Sequence, residues 1–135
     1  MAKKLIKTLF KESDIKTAHF DTYKINNSPS NISMNVFPGD NGQKFFTEAY
    51  LENEKILSNK EESIQNFVIG KNSALKGKSL DVYTIVTDVL GVPDLTSFRF
   101  QLKGGVIPYE YFVEKTVQAQ GDSVVYKISI FFSIH

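Results

Sequence analysis

Residues 123–135 read SVVYKISIFFSIH, and the alternation runs through nearly the whole stretch. Val124, Tyr126, Ile128, Ile130, Phe132 and Ile134 fall on one side. Val125, Lys127, Ser129, Phe131, Ser133 and His135 fall on the other. A period of two over this length specifies a β-strand with one face in a hydrophobic core. Because the apolar side has no gap, the strand is expected to run through the middle of a sheet and close the fold. Its filled face needs a second sheet opposite. Phe98, Phe100 and Leu102, together with Tyr83 and Ile85, are the expected partners.

The rest of the chain follows the same grammar. Residues 19–25 have strand composition, and Asn26-Asn27-Ser28-Pro29-Ser30 reads as a loop. Residues 31–37 alternate Ile32, Met34 and Val36 against Ser33 and Asn35, and end at a turn cluster spanning 38–42. Residues 80–89 are rich in β-branched side chains and apolar on both sides, as suits a central strand. Residues 97–103 point Phe98, Phe100 and Leu102 one way and Arg99, Gln101 and Lys103 the other. Gly104-Gly105 is a bend or hairpin, and residues 106–117 contain another strand with Tyr109, Tyr111 and Val113 on one face. Residues 45–67 admit two readings. Two strands joined near Ser58-Asn59-Lys60 are preferred, with a helix over the Glu-rich part as the alternative. Residues 64–69 are again strand-like, and 70–78 form a basic, Gly-containing loop.

Strand runs separated by Gly, Pro, Asn and Asp describe an all-β chain. The expected architecture is a single antiparallel β-sandwich, immunoglobulin-like or C2-like, with seven to eight strands. Residues 13–135 would form it, preceded by a basic arm over residues 1–12. In that arm Leu5, Ile6, Leu9 and Phe10 stand at helical spacing among Lys3, Lys4, Lys7 and Lys11, compatible with a short amphipathic helix. Packing of the arm on its own domain is favoured over membrane contact, because two turns bind lipid weakly.

Composition narrows the function more than it names it. The 135 residues carry a formal charge of +1, eleven Phe and six Tyr, no Trp and no Cys. Absent cysteine removes disulfides, thiol catalysis and Cys-ligated zinc. Arg99 is the single Arg among 16 basic residues, which argues against nucleic-acid readout, where the guanidinium fork is preferred. Charge is uneven along the chain, with +3 over residues 1–30, −3 over 31–70, +3 over 71–80 and −2 over 81–135. No apolar run approaches the ~20 residues of a membrane-spanning helix. The N-terminal stretch is broken by Lys7 and Lys11, unlike a secretory signal. The default expectation is a cytoplasmic protein, and a signal removed beforehand is compatible with it.

Candidate sites are few. His19 and Asp21 share a strand face, but two residues alone make neither a proton shuttle nor a metal site, and His135 stands apart. Ser13-x-x-Lys16 has the spacing of a Ser–Lys pair without the motifs that accompany one, so Ser13 or Asp14 is read as a cap. There is no nucleophile elbow, phosphate loop or dinucleotide fingerprint. Gly77-Lys78-Ser79 lacks the first Gly of a phosphate loop, and Lys71, Lys76 and Lys78 are read as a solvated face. Tyr109, Tyr111, Phe112, Phe45 and Phe46 lie near turns. There aromatics serve either the core or a stacking and interaction surface.

Asp88 and Asp94, six positions apart after a strand, resemble the first calcium loop of C2 domains over residues 79–100. The resemblance implies loop carboxylates holding a hard cation at a membrane surface. Here Asp94-Leu95-Thr96 stands in place of that family's Asp-Pro-Tyr, no second Asp-x-Asp pair follows, and Asp122 is the only further loop acid placed to help. Asp88 and Asp94 are therefore read as turn formers, with no catalytic, cofactor-binding or metal residue assigned. The leading expectation is a non-enzymatic structural or adaptor protein that mediates protein–protein interaction. It would work within a homo- or hetero-oligomer such as a phage-tail-like or secretion apparatus. The other reading is a ligand-binding module for a carbohydrate, a lipid or a calcium-dependent membrane surface.

Overall fold

The computed structural model describes residues 15–38, 43–88, 95–116 and 123–135. They form nine strands and one short helix. The strands are β1 (Ile15–Lys24), β2 (Asn31–Pro38), β3 (Gln43–Leu51), β4 (Glu54–Lys60) and β5 (Ile64–Lys71). After the helix α1 (Asn72–Leu75) come β6 (Ser79–Asp88), β7 (Leu95–Lys103), β8 (Tyr109–Thr116) and β9 (Ser123–Ser133). They build a five-stranded sheet, ordered β1-β9-β6-β3-β4, and a four-stranded sheet, ordered β5-β2-β7-β8. Neither sheet closes on itself.

The alternating residues of both sheets meet in one core. From β9, Val124, Tyr126, Ile128, Ile130 and Phe132 point inward and are buried. They face Ile32, Met34 and Val36 of β2 and Phe98, Phe100 and Leu102 of β7, which are also buried. The Phe98 and Tyr126 rings stack across the two sheets, with centroids 5.3 Å apart. The Tyr126 hydroxyl hydrogen-bonds Thr96 Oγ1, which donates in turn to the Lys115 carbonyl (2.8 Å). One buried phenol thus joins β9 to β7 and β8, and burial pushes its pKa up to about 12 against the lowering effect of the Thr96 bond.

Four expectations need correction. Nine strands replace seven or eight, because residues 43–71 supply three strands and no long helix. The turn within that stretch lies at Glu52-Asn53 and not at Ser58-Asn59-Lys60, the last residues of β4. Both turn residues are left-handed, at φ 50° and 69°, giving a tight two-residue hairpin whose twist suits the flanking strands. The sheets are not antiparallel throughout, for β1 runs parallel to β9 from Ile15 beside Val124 to Lys24 beside Ser133. Side-chain alternation is the same in either direction, and only the connection decides between them. Finally, Tyr83 and Ile85 lie on the opposite face of the five-stranded sheet from the Tyr126 side. Their neighbours Val82, Thr84 and Val86 face the core instead.

The basic loop over residues 70–78 also has more structure than a solvated stretch. Asn72 is fully buried at the start of α1, and its Nδ2 donates to the carbonyls of Ser30 and Gly104 (2.9 Å each). Its Oδ1 accepts from the Asn26 N–H (3.1 Å), so one amide ties three loops together. Gly104 (φ +103°) lies so close to Asn31 that a Cβ there would stand 2.1 Å from its carbonyl oxygen. The arm over residues 1–12, with its expected helix, lies outside the described residues.

Candidate interaction surface

Between the two sheets, the edge strands β1 and β8 meet in a seam of polar and aromatic groups. His19 and Asp21 lie on the same face of β1, with Nε2 3.5 Å from Oδ2. The His19 ring stacks on Tyr111, with centroids 4.1 Å apart and planes 9° from parallel. The Tyr109 hydroxyl donates to Asp21 Oδ2 (2.9 Å), and the Thr22 N–H donates to Asp21 Oδ1 (2.8 Å). The Thr22 bond, more than Tyr109 and His19, holds the Asp21 carboxyl below its ordinary value. Burial and the neighbouring carboxylate push the Tyr109 phenol up. These groups satisfy one another, so the seam works as a clasp. Tyr109 and Tyr111, left open between core and platform by the sequence, face inward and are half-buried.

The outward faces of the two sheets differ. On the four-stranded sheet, a polar chain crosses the strands. The Asn66 N–H donates to Asn35 Oδ1 (2.7 Å), and Asn35 Nδ2 donates to Gln101 Oε1 (2.9 Å). Gln101 Nε2 donates to Glu110 Oε1 (2.6 Å) and Arg99 Nη1 to Glu110 Oε2 (2.9 Å). The Gln101 bond and then Arg99 hold the Glu110 carboxyl below its usual range. Phe112 and Val68 are exposed on this face by 45% and 52%, and the Arg99 guanidinium lies 4.5 Å from the Phe112 ring centre. The polar side chains of this face are hydrogen-bonded to one another.

The outward face of the five-stranded sheet divides into two parts. One part is a second apolar cluster of Tyr50, Tyr83, Ile85 and Val125, with half-buried Phe46 against it. Beside it Glu48 is fully buried and accepts a hydrogen bond from the Tyr50 hydroxyl. Among the described residues its other oxygen has only the Lys55 ammonium, at 3.6 Å. Burial, and then Glu48, push the Tyr50 phenol up. The other part carries Phe20 and Phe131, exposed by 68% and 45%. They border a hollow of about 340 Å³ whose rim includes Asp21, Thr22, Ser79 and Ser129. Thr22 pairs with Phe131 and Phe20 with Ser129, so the two rings are diagonal neighbours on adjacent strands. Lys127 stands between the two parts, its ammonium 5.4 Å from the Phe20 ring centre and 5.5 Å from that of Tyr83.

The remaining candidates do not converge. Lys71 and Lys76 are exposed on either side of α1, and Lys78 is half-buried. His135 is exposed and its N–H donates to Ser133 Oγ (3.1 Å). Ser13, Asp14, Asp94 and Asp122 and the side chains of Lys16 and Asp88 lie outside the described residues, and with them the C2-like calcium loop. Among the described residues no three His, Asp or Glu side chains are grouped to hold a metal ion. No described helix is long and apolar enough to cross a membrane. Phe45 and Phe46 part company, Phe45 packing on the main core and Phe46 on the outward cluster. Phe46 also borders a cleft of about 460 Å³ with Lys44, Glu61, Ile85, Thr87 and Ser123. Phe131 falls among Lys127, Ser129 and Ser133 on the outward side of the 123–135 alternation, whereas no sequence pattern marks Phe20. The alternation in β1 that would have placed Phe20 beside Phe131 emerges only once the β1–β9 pairing is known. The chain matches no protein-family model, and neither a curated protein nor a solved structure is found similar to it.

Proposed function

We propose that this protein is a non-enzymatic structural or adaptor subunit. It would bind another protein through the Phe20–Phe131 part of the outward face of its five-stranded sheet. The finer reading of the two sheets, as an immunoglobulin-like or C2-like sandwich, belongs to the same proposal. One observation carries it. Two aromatic rings stand exposed as diagonal neighbours on adjacent strands beside a hollow, while on the other sheet's outward face the exposed Phe112 ring lies against the Arg99 guanidinium among side chains hydrogen-bonded to one another. Aromatic anchors within a polar rim are the arrangement from which protein interfaces draw most of their binding energy. The polar groups of the rim are Asp21, Thr22, Ser79 and Ser129. A larger assembly, such as a phage-tail-like or secretion apparatus, is the setting in which a small subunit of this kind would work.

The test is isolation of the tagged chain from its native cell as a stoichiometric complex. Phe20→Ala with Phe131→Ala should lose that complex, by at least about tenfold in affinity if both rings are anchors. Gln101→Ala, on the other sheet, should keep it. A complex retained by the double variant, or a chain that is a partnerless monomer, contradicts the proposal.

A second reading, a ligand-binding module, is favoured by the cleft beside Phe46, where a ring adjoins Lys44, Glu61, Thr87 and Ser123. Titration with neutral oligosaccharides, followed through the amide signals of Gln43 and Thr87, separates it from the first. Shifts at those two positions would favour the ligand reading.

A further inference from the structure

The outward face of the five-stranded sheet is buried in one half and open in the other, although both halves are built alike. Phe20 and Phe131 show what an uncovered sheet face looks like, at 68% and 45% exposure. In the other half Tyr50, Tyr83, Ile85 and Val125 are exposed by at most 6%. Every side chain of that cluster comes from the five-stranded sheet itself. Among the described residues, no second layer supplies the cover that large side chains on a sheet face need to leave water.

The place where the chain enters the sheet bears on that cover. Ile15 lies beside Val124 and Lys16 beside Val125, so the residues before Ile15 join the fold at the border of the cluster. The other segments outside the described residues are 39–42, 89–94 and 117–122. Each connects one sheet to the other and is tied at both ends. Residues 1–14 precede Ile15, where the described chain enters the sheet. They also carry the matching surface, Leu5, Ile6, Leu9 and Phe10 on one helical side with lysines on the other. The cluster spans three strands and two further rows, about 16 Å from Val125 to Tyr50 on ordinary strand spacings. Four or five extended residues reach across most of that distance.

We propose that the N-terminal arm of the same molecule docks as an amphipathic strap over this cluster, with Leu5, Ile6, Leu9 and Phe10 against it. The inference does not depend on what binds at the Phe20–Phe131 hollow.

Because the chain has no cysteine, Lys7→Cys supplies a single attachment point for a nitroxide spin label. The expected result is loss of the amide signals of Tyr83, Ile85 and Val125. Those of Ser33 and Gln101, on the far side of the molecule, should remain. Adding Leu9→Asp and Phe10→Asp to the labelled chain should restore the lost signals while the far-side shifts stay unchanged. A mixture of spin-labelled chain with isotope-labelled, spin-free chain should show no loss. Signals untouched in the labelled chain overturn the proposal. Loss that persists in the Asp variant overturns the apolar contact. Loss in the mixture makes the occupant the arm of a second copy and overturns the intramolecular strap.

Discussion

Asn72 shows how much one residue can hold, and how little of that is written locally. Its side-chain amide makes three hydrogen bonds to two other loops while fully buried. Asn72→Ala leaves an N–H and two carbonyls to find new partners, and should cost about 2–4 kcal/mol in urea denaturation. In the sequence the residue sits among Lys71, Lys76 and Lys78 and looks like part of a wet loop. Its partners are 32 to 46 positions away, beyond any local pattern. Tyr126 is the opposite case, a core position plain from alternation alone. Its pKa is raised to about 12, against about 10 for an unfolded chain. The folded state therefore holds the phenolic proton more tightly. The stabilisation is whole below pH ~10 and is lost as pH rises through the folded value. Melting temperature should be level through neutral pH and fall above it, with a shallower fall in Tyr126→Phe. An identical slope in that variant would remove Tyr126 from the account.

The strands are legible where one face is buried and the other is wet, as in β2, β7 and β9. β6 is harder because both of its faces are apolar. Composition marks it as central but does not say which side faces the other sheet. Placing Tyr83 and Ile85 with the wrong partners follows from that ambiguity. Two strands are read correctly at β3 and β4, but their turn is misplaced for a different reason. That turn is Glu52-Asn53, whereas the usual signal is Asn or Asp followed by Gly. With Asn53 at φ 69°, Asn53→Val should cost about 1–2 kcal/mol, the penalty of a left-handed β-branched residue. Asn53→Gly should stay within about 0.5 kcal/mol of the parent. Equal stability of the two variants would mean that the turn is not the left-handed one described.

For the molecule as a whole, β9 is the keystone. Among the described residues it is the only strand neighbour of β1, and it pairs on its other side with β6. Ending the chain before Ile128 removes Ile128, Ile130 and Phe132, each worth about 1.5–3 kcal/mol of burial. The sum is comparable to the entire stability of a typical domain. That truncated chain should show no cooperative melting, and a sharp transition would contradict the shared core. The same strand divides core from surface. Its inward face joins the two sheets, while its outward face presents Phe131 to solvent and Val125 to the second cluster. Fold class could be read from the inward alternation. The working face could not, because it depends on which strand lies beside which.

The central claim is that the Phe20–Phe131 part of this face engages another protein and that the other sheet's outward face does not. A photo-crosslinking benzophenone side chain placed at position 20, and separately at position 101, tests it in the native cell. A discrete protein adduct from position 20 with none from position 101 is the predicted result. No adduct from position 20, or the same adduct from both positions, would contradict it.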